Sequence, residues 1–192
     1  SLSLLRQLSL HAALVDESHH GVSSSKVDYL TEQLPELVAE GHNALVFSQF
    51  TRFLHILTAH LDKVGIAYSY LDGSMNAAER ADAVRRFTSG ETKVFLISLK
   101  AGGFGLNLTE ADYCFVCDPW WNPAAEAQAV DRAHRIGQTR PVNVYRLVSA
   151  GTIEERVVAL QDRKRALFDA VVDDGELFGT TISADDIRAM IG

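Results

Sequence analysis

The sequence predicts a three-layer α/β domain with a mainly parallel central sheet flanked by helices, and three observations predict it. Five short apolar runs, rich in β-branched and aromatic residues, recur at 44–47, 66–70, 94–97, 113–117 and 142–148. They are nearly continuous rather than strictly alternating, as strands buried on both faces are. Helical periodicity fills the intervals at 26–40, 50–64, 77–88 and 123–136, and returns from 152 to about 172. Strands alternating with helices build a parallel sheet through right-handed crossovers.

Taken in order, residues 1–22 read as a linking helix that ends in a polar turn, residues 23–175 as the body of the domain, and residues 176–192 as a tail with a short helix at 183–190. The helix at 77 has its start written in the chain, because Asn76 and Glu79 stand at the spacing of a capping box. The helix at 123 has Asn122 as N-cap before Pro123 at the first helical position, and Gly137 is a natural stop.

Composition narrows the classes of function. The chain has 192 residues, 47% of them hydrophobic and 22% charged, values typical of a globular protein with a core. No apolar run approaches the ~18 residues of a membrane span, and no basic-then-apolar start suggests a secretory signal. Two cysteines are too few for a disulfide scaffold, so a reducing, intracellular compartment is expected. The net charge of -7 argues against a generic nucleic-acid binder. Its distribution matters more. Between Gln128 and Arg165 eight Lys/Arg face four Asp/Glu, whereas the tail from Asp169 carries six acids and one arginine.

Several motifs dissolve on inspection. The run DESH at 16–19 imitates a magnesium-binding ATPase strand, but only fifteen residues precede it and no G-x-x-x-x-G-K-[ST] loop exists. His19 and His20 have no partner at ligand spacing, so no metal site is expected. Cys114 and Cys117 would point to opposite faces of a strand and could not clasp one metal. The glycine-rich AGGFGLNL at 101–108 follows a strand directly but lacks the third glycine of a dinucleotide fingerprint. It reads instead as backbone exposed at the C-terminal edge of a parallel strand, with Ser98 and Lys100 ahead of it in reach of phosphates. Of the adjacent Trp120 and Trp121, one is expected in the core and the other at a surface that stacks or wedges.

The stretch QAVDRAHRIGQ at 128–138 carries the most chemistry. At ~100° per residue, Gln128, Arg132 and Arg135 fall within an arc of about 60°. Ala125, Ala129, Ala133 and Ile136 lie to one side, toward the sheet. Two guanidinium groups beside an apolar seam suit either an anion or a structural ion-pair network with Asp131 or Asp118. Spacing alone leaves both open.

The same stretch closely resembles motif six of the SWI/SNF-type ATPases, DNA translocases of helicase superfamily two. Further blocks resemble that family in order: LRQL at 5–8 with His11, ALVFSQF at 44–50, YLDGS at 70–74 with Glu79 and Arg80, and SLKAGGFGLNL at 98–108. DPWWNP at 118–123 and the run from VNVYRLV at 142–148 through GTIEE at 151–155 complete the series. So many ordered blocks make chance agreement very small. Leu8-Ser9 departs from the cysteine-asparagine pair of many members and touches no chemistry.

The resemblance implies the C-terminal RecA-like lobe alone; the phosphate loop and DExH strand belong to a preceding lobe. It implies ATP with magnesium, both held mainly by that N-terminal lobe. Arg132 and Arg135 would be arginine fingers on the β/γ-phosphates, with Gln128 beside them. Gly103, Gly105 and Asn107 would lie at the nucleotide edge. Ser48, Gln49, Gly73, Ser74, Ser98, Lys100, Gly102 and Trp121 would lie near the DNA strand. The implied partners are double-stranded DNA, the N-terminal lobe of the same polypeptide and DNA-bound proteins. The implied place is the cytoplasm in a bacterium and the nucleus in a eukaryote. A strand-separating or RNA helicase, or a stand-alone binding module, would be the competing readings.

Overall fold

The computed structural model describes residues 2–11, 24–98, 106–120, 126–127 and 141–172, apart from the side chains of residues 2 and 167–172. Its elements run α1 (Leu2–Leu10), α2 (Ser25–Ala39), β1 (Ala44–Ser48), α3 (Thr51–Lys63), β2 (Tyr68–Leu71), α4 (Ala77–Thr88), β3 (Val94–Ser98), β4 (Tyr113–Val116), β5 (Asn143–Arg146) and α5 (Ile153–Val172). The five strands among the described residues are all parallel, in the order β2-β3-β1-β4-β5. This is the three-layer, RecA-like arrangement expected from the sequence.

The pleat divides the core into two. Along β1, Ala44 and Val46 join Val94, Leu96 and Phe115 on one face, where Leu30, Leu34 and Leu37 of α2 and Phe53, Leu54, Leu57 and Leu61 of α3 cover them. Leu45 and Phe47 join Phe95, Ile97 and Val116 on the other face, covered by Ala83 and Phe87 of α4. The period of two explains both sets. It also sends Cys117 to the first cluster and Cys114 to the second, so the pair is split across the sheet as its spacing predicts. Both thiols are free and buried, and burial pushes Cys114 up to about 12 and Cys117 well above its usual range.

Helix ends are made by local chemistry. Asn76 Oδ1 accepts from Glu79 N at 3.0 Å while Glu79 Oε2 accepts from Asn76 N at 2.8 Å, closing the expected capping box. α2 stops where Gly41 takes a φ of 83°, and His42 N then reaches back to Leu37 O at 2.9 Å.

One expectation needs correction. The run at 142–148 was expected to be buried on both faces, but every residue of β5 is exposed, Val144 and Tyr145 at 41% and 42%. The reason is position: among the described strands β5 sits at the sheet edge, with β4 as its neighbour. Its apolar character serves stacking along one face, Tyr145 lying 6.1 Å from Tyr113 and 5.5 Å from Phe115 between ring centroids. The expected helix at 123–136, save residues 126 and 127, and that at 183–190 lie outside the described residues.

Candidate functional site

Register brings the carboxyl ends of the strands to one edge. Ser48 pairs with Ser98, Leu71 with Ile97, and Val116 with Arg146. The chain leaves β1 toward β2 on one side, and leaves β4 toward β5 on the other. The crevice between β1 and β4 is therefore the topological switch point, where open α/β sheets bind ligands.

A buried polar network fills the base of this crevice. Asp118, just past β4 and 0% exposed, accepts from Ser48 Oγ at 2.5 Å and from Gln49 N at 3.2 Å. Arg6 of α1 brings Nη2 to 3.8 Å from Asp118 Oδ2 and donates to Pro119 O at 2.7 Å. Gln49 Nε2 donates to the same carbonyl at 3.3 Å. Lys26 of α2 donates to Cys117 O and to Glu154 Oε2 of α5, each at 2.5 Å. Glu126 Oε2 accepts from Trp120 N at 3.2 Å and from Gln161 Nε2 at 2.9 Å, while its other oxygen lies 2.8 Å from Arg146 Nε. Gln161 Nε2 also donates to Trp120 O.

Burial is the largest influence on the titration of Asp118 and Arg6. It raises the Asp118 carboxyl to about 6, against the opposing pull of the Ser48 hydrogen bond, the Arg6 charge and the Gln49 N–H. It lowers the Arg6 guanidinium from its usual value even though Asp118 and Glu154 favour the cation. Both shifts say that desolvation outweighs attraction here.

At the end of β2, Asp72 organises the next loop. Its Oδ1 accepts from Ser74 N at 2.8 Å and Ser74 Oγ at 2.6 Å, and its Oδ2 accepts from Tyr70 Oη at 2.8 Å. Burial pushes this carboxyl up, but the Ser74 and Tyr70 hydrogen bonds outweigh it and the net direction is down. Gly73 and Ser74 are exposed, and a side chain at Gly73 would meet open space.

The residues expected near DNA are thus placed unequally. Gly73 and Ser74 are at the surface, Gln49 is half-buried, and Ser48 and Ser98 are fully buried. Ser48 commits its hydroxyl to Asp118. Ser98 Oγ has no hydrogen-bond partner among the described residues. Asn107, expected at the nucleotide edge, is exposed beyond β3. Lys100, Gly102, Gly103, Gly105, Trp121, Gln128, Arg132 and Arg135 lie outside the described residues, as does His19-His20. Among the described residues no group of three His, Cys, Asp or Glu could hold a metal ion. Trp120 is half-buried and packs on the second core cluster.

Sequence reasoning passed over Arg6, Lys26, Glu126, Glu154 and Gln161, which build the floor of the crevice. Lys26 and Glu154 each head a helix, where charge is ordinary, and only their separation of 128 positions across the fold makes them a pair. The one available signal was Arg6, a charge between the leucines of LRQL.

Comparison with known proteins agrees with this architecture. The helicase conserved C-terminal domain matches residues 25–137. DNA repair protein RAD5 of Cryptococcus neoformans is 46% identical over 175 residues, which cover 89% of this chain and 14% of that protein. Helicase swr1 of Aspergillus fumigatus is 40% identical over 187 residues, covering 97% of this chain and 11% of that protein. The chain therefore spans only a small part of the length of these curated relatives. The Sulfolobus solfataricus SWI2/SNF2 ATPase core in complex with dsDNA superposes with a TM-score of 0.76 at 35% identity, covering 98% of this chain and 40% of that one. Sheet order, switch point and these matches agree: the chain belongs to the helicase conserved C-terminal domain family, as a RecA-like lobe of the SWI/SNF type.

Proposed function

We propose that this lobe works within an ATP-dependent translocase or remodelling enzyme acting on double-stranded DNA. The observation that carries the reading is the likeness, over 98% of the chain, to an SWI2/SNF2 ATPase core whose structure is in complex with dsDNA. In this reading residues 23–175 form the lobe, residues 1–22 link it to a preceding RecA-like lobe, and residues 176–192 are a tail. An intracellular place, nuclear in a eukaryote, and DNA-bound proteins as further partners belong to the same proposal.

ATP would give up its γ-phosphoryl group to water, leaving ADP and phosphate, and magnesium bound with it would neutralise charge on the phosphates. Arg132 and Arg135 would face the β/γ-phosphates, with Gln128 beside them and Gly103, Gly105 and Asn107 at the edge of the nucleotide. Asp118 at the crevice is already committed to Ser48, Gln49 and Arg6, and Asp72 beyond β2 to Ser74 and Tyr70. That arrangement suits a metal whose ligands come from the other lobe. DNA would lie across Gln49, Gly73, Ser74, Lys100, Gly102 and Trp121, with Ser48 and Ser98 behind them. Ser98 Oγ, a donor without a partner among the described residues, suits a group taken up when the phosphate chain arrives.

The test is ATP turnover by the full-length protein on duplex DNA. Arg135→Ala should lower it by ~10³-fold or more, as loss of an arginine finger does, with the fold unchanged by circular dichroism. Near-normal turnover in the variant would return the helix to the structural ion-pair reading. A full-length protein without any DNA-stimulated turnover would favour a stand-alone binding module.

A further inference from the structure

Arg6 is an expensive residue where it stands. It is 5% exposed on a helix whose neighbouring Leu4, Leu5 and Leu8 are 42–46% exposed, so the charge is inside and the leucines are outside. Stability alone would favour the reverse, since burying a guanidinium costs several kcal/mol before its partners repay it.

What the burial achieves is a junction. Arg6 Nη2 donates to Pro119 O at 2.7 Å, in the loop after β4. Gln49 Nε2, from the loop after β1, donates to the same oxygen at 3.3 Å. The two donors thus converge on one carbonyl oxygen, which can accept two hydrogen bonds. Asp118, one residue earlier, lies 3.8 Å from Arg6 and holds Gln49 N and Ser48 Oγ. The Arg6 guanidinium also lies 5.5 Å from the centroid of the Phe50 ring, at the start of α3. One side chain of α1 therefore touches both loops of the switch point, at Phe50 and at Asp118 and Pro119, 44 to 113 positions away in the chain. A lysine ammonium would keep the charge but could not present the planar fork that reaches a carbonyl, a carboxylate and a ring together.

We propose that Arg6 is a positioning residue for DNA: it sets the loop after β4, at Asp118 and Pro119, against the loop after β1 that carries Gln49, so that the two loops meet the duplex in one geometry. The inference rests on the DNA-dependent reading given above. It adds that α1, which carries none of the expected contact residues, governs how well the crevice takes up DNA.

The experiment measures, in the full-length protein, the duplex concentration that half-saturates ATP turnover and the turnover at saturating DNA. Arg6→Ala should raise the half-saturating concentration about tenfold or more, the loss expected for a charge-assisted hydrogen bond, while saturated turnover stays within about twofold of wild type if positioning is the whole effect. Arg6→Lys should give an intermediate shift. Half-saturation equal to wild type in Arg6→Lys, or in a folded Arg6→Ala protein with a lowered Tm, would overturn the proposal and leave Arg6 a stabilising residue. If Arg6→Ala does not fold, Arg6→Lys alone decides. A wild-type protein that DNA does not stimulate would overturn the functional reading itself, a different result from stimulated turnover that is indifferent to Arg6.

Discussion

Replacing Lys26 with methionine should destabilise the lobe far more than a change at a helix start ordinarily does. Lys26 is 4% exposed, and its ammonium lies 2.5 Å from both Cys117 O and Glu154 Oε2. Glu154 is 0% exposed, and its remaining described donor is Ser149 N at 2.9 Å. Lys26→Met keeps most of the volume and leaves the Glu154 carboxylate buried without its hydrogen-bonded cation, with only the more distant Arg6 charge acting on it. Removing one partner of a buried pair costs about 3–5 kcal/mol. For a domain of this size each kcal/mol moves Tm by roughly 2–4 °C, so the melt should fall by about 6–20 °C. Thermal unfolding followed by circular dichroism reads it directly. The second arm is Lys26→Met with Glu154→Gln, which neutralises the stranded charge. It should recover a large part of the loss, with a coupling between the sites above ~1 kcal/mol. A Lys26→Met protein melting within two degrees of wild type, or a double variant whose losses simply add, would refute the argument that the pair is one buried unit.

Two further outcomes follow from the same crevice and from the charge of the chain. Asp118 has its carboxyl raised from 3.8 to about 6, so between those values the native state holds a proton that the unfolded state has lost. Its contribution to stability is therefore full below about pH 4 and lost as pH rises through 6, by up to ~3 kcal/mol; Asp118→Asn should flatten that part of the urea-unfolding profile, and an unchanged slope would contradict it. The lobe by itself, at a net charge of -7, should bind duplex DNA weakly and without sequence preference, with affinities on the order of 10⁻⁴–10⁻⁶ M or worse and a log–log salt slope of about -2 to -3. Nanomolar binding, or a strong preference for one sequence in a salt titration, would count against it.

The sequence by itself determined the layers of this protein. Continuous apolar runs named the strands, with bounds within two residues or so of those observed, and Asn76 with Glu79 wrote the first turn of α4 into the chain. These features depend on neighbours a few positions apart, which is the range over which periodicity and capping act. The ordered blocks also carried the family, because each block is local.

Only the tertiary structure decided which strand is an edge and which charges are buried. β5 reads like β3 in sequence, yet one lies exposed at the rim and the other fully inside the sheet, a difference set by strand order alone. Nothing in the segment around Ser48 marks Asp118 as the partner of its hydroxyl, yet the fold brings the two to 2.5 Å. Lys26 and Glu154, or Arg6 and Pro119, show nothing in their own segments that marks them as partners. Their meeting depends on chain closure across more than a hundred positions. The energy of such a meeting comes from shared exclusion of water, a property of the packed crevice that no single segment possesses.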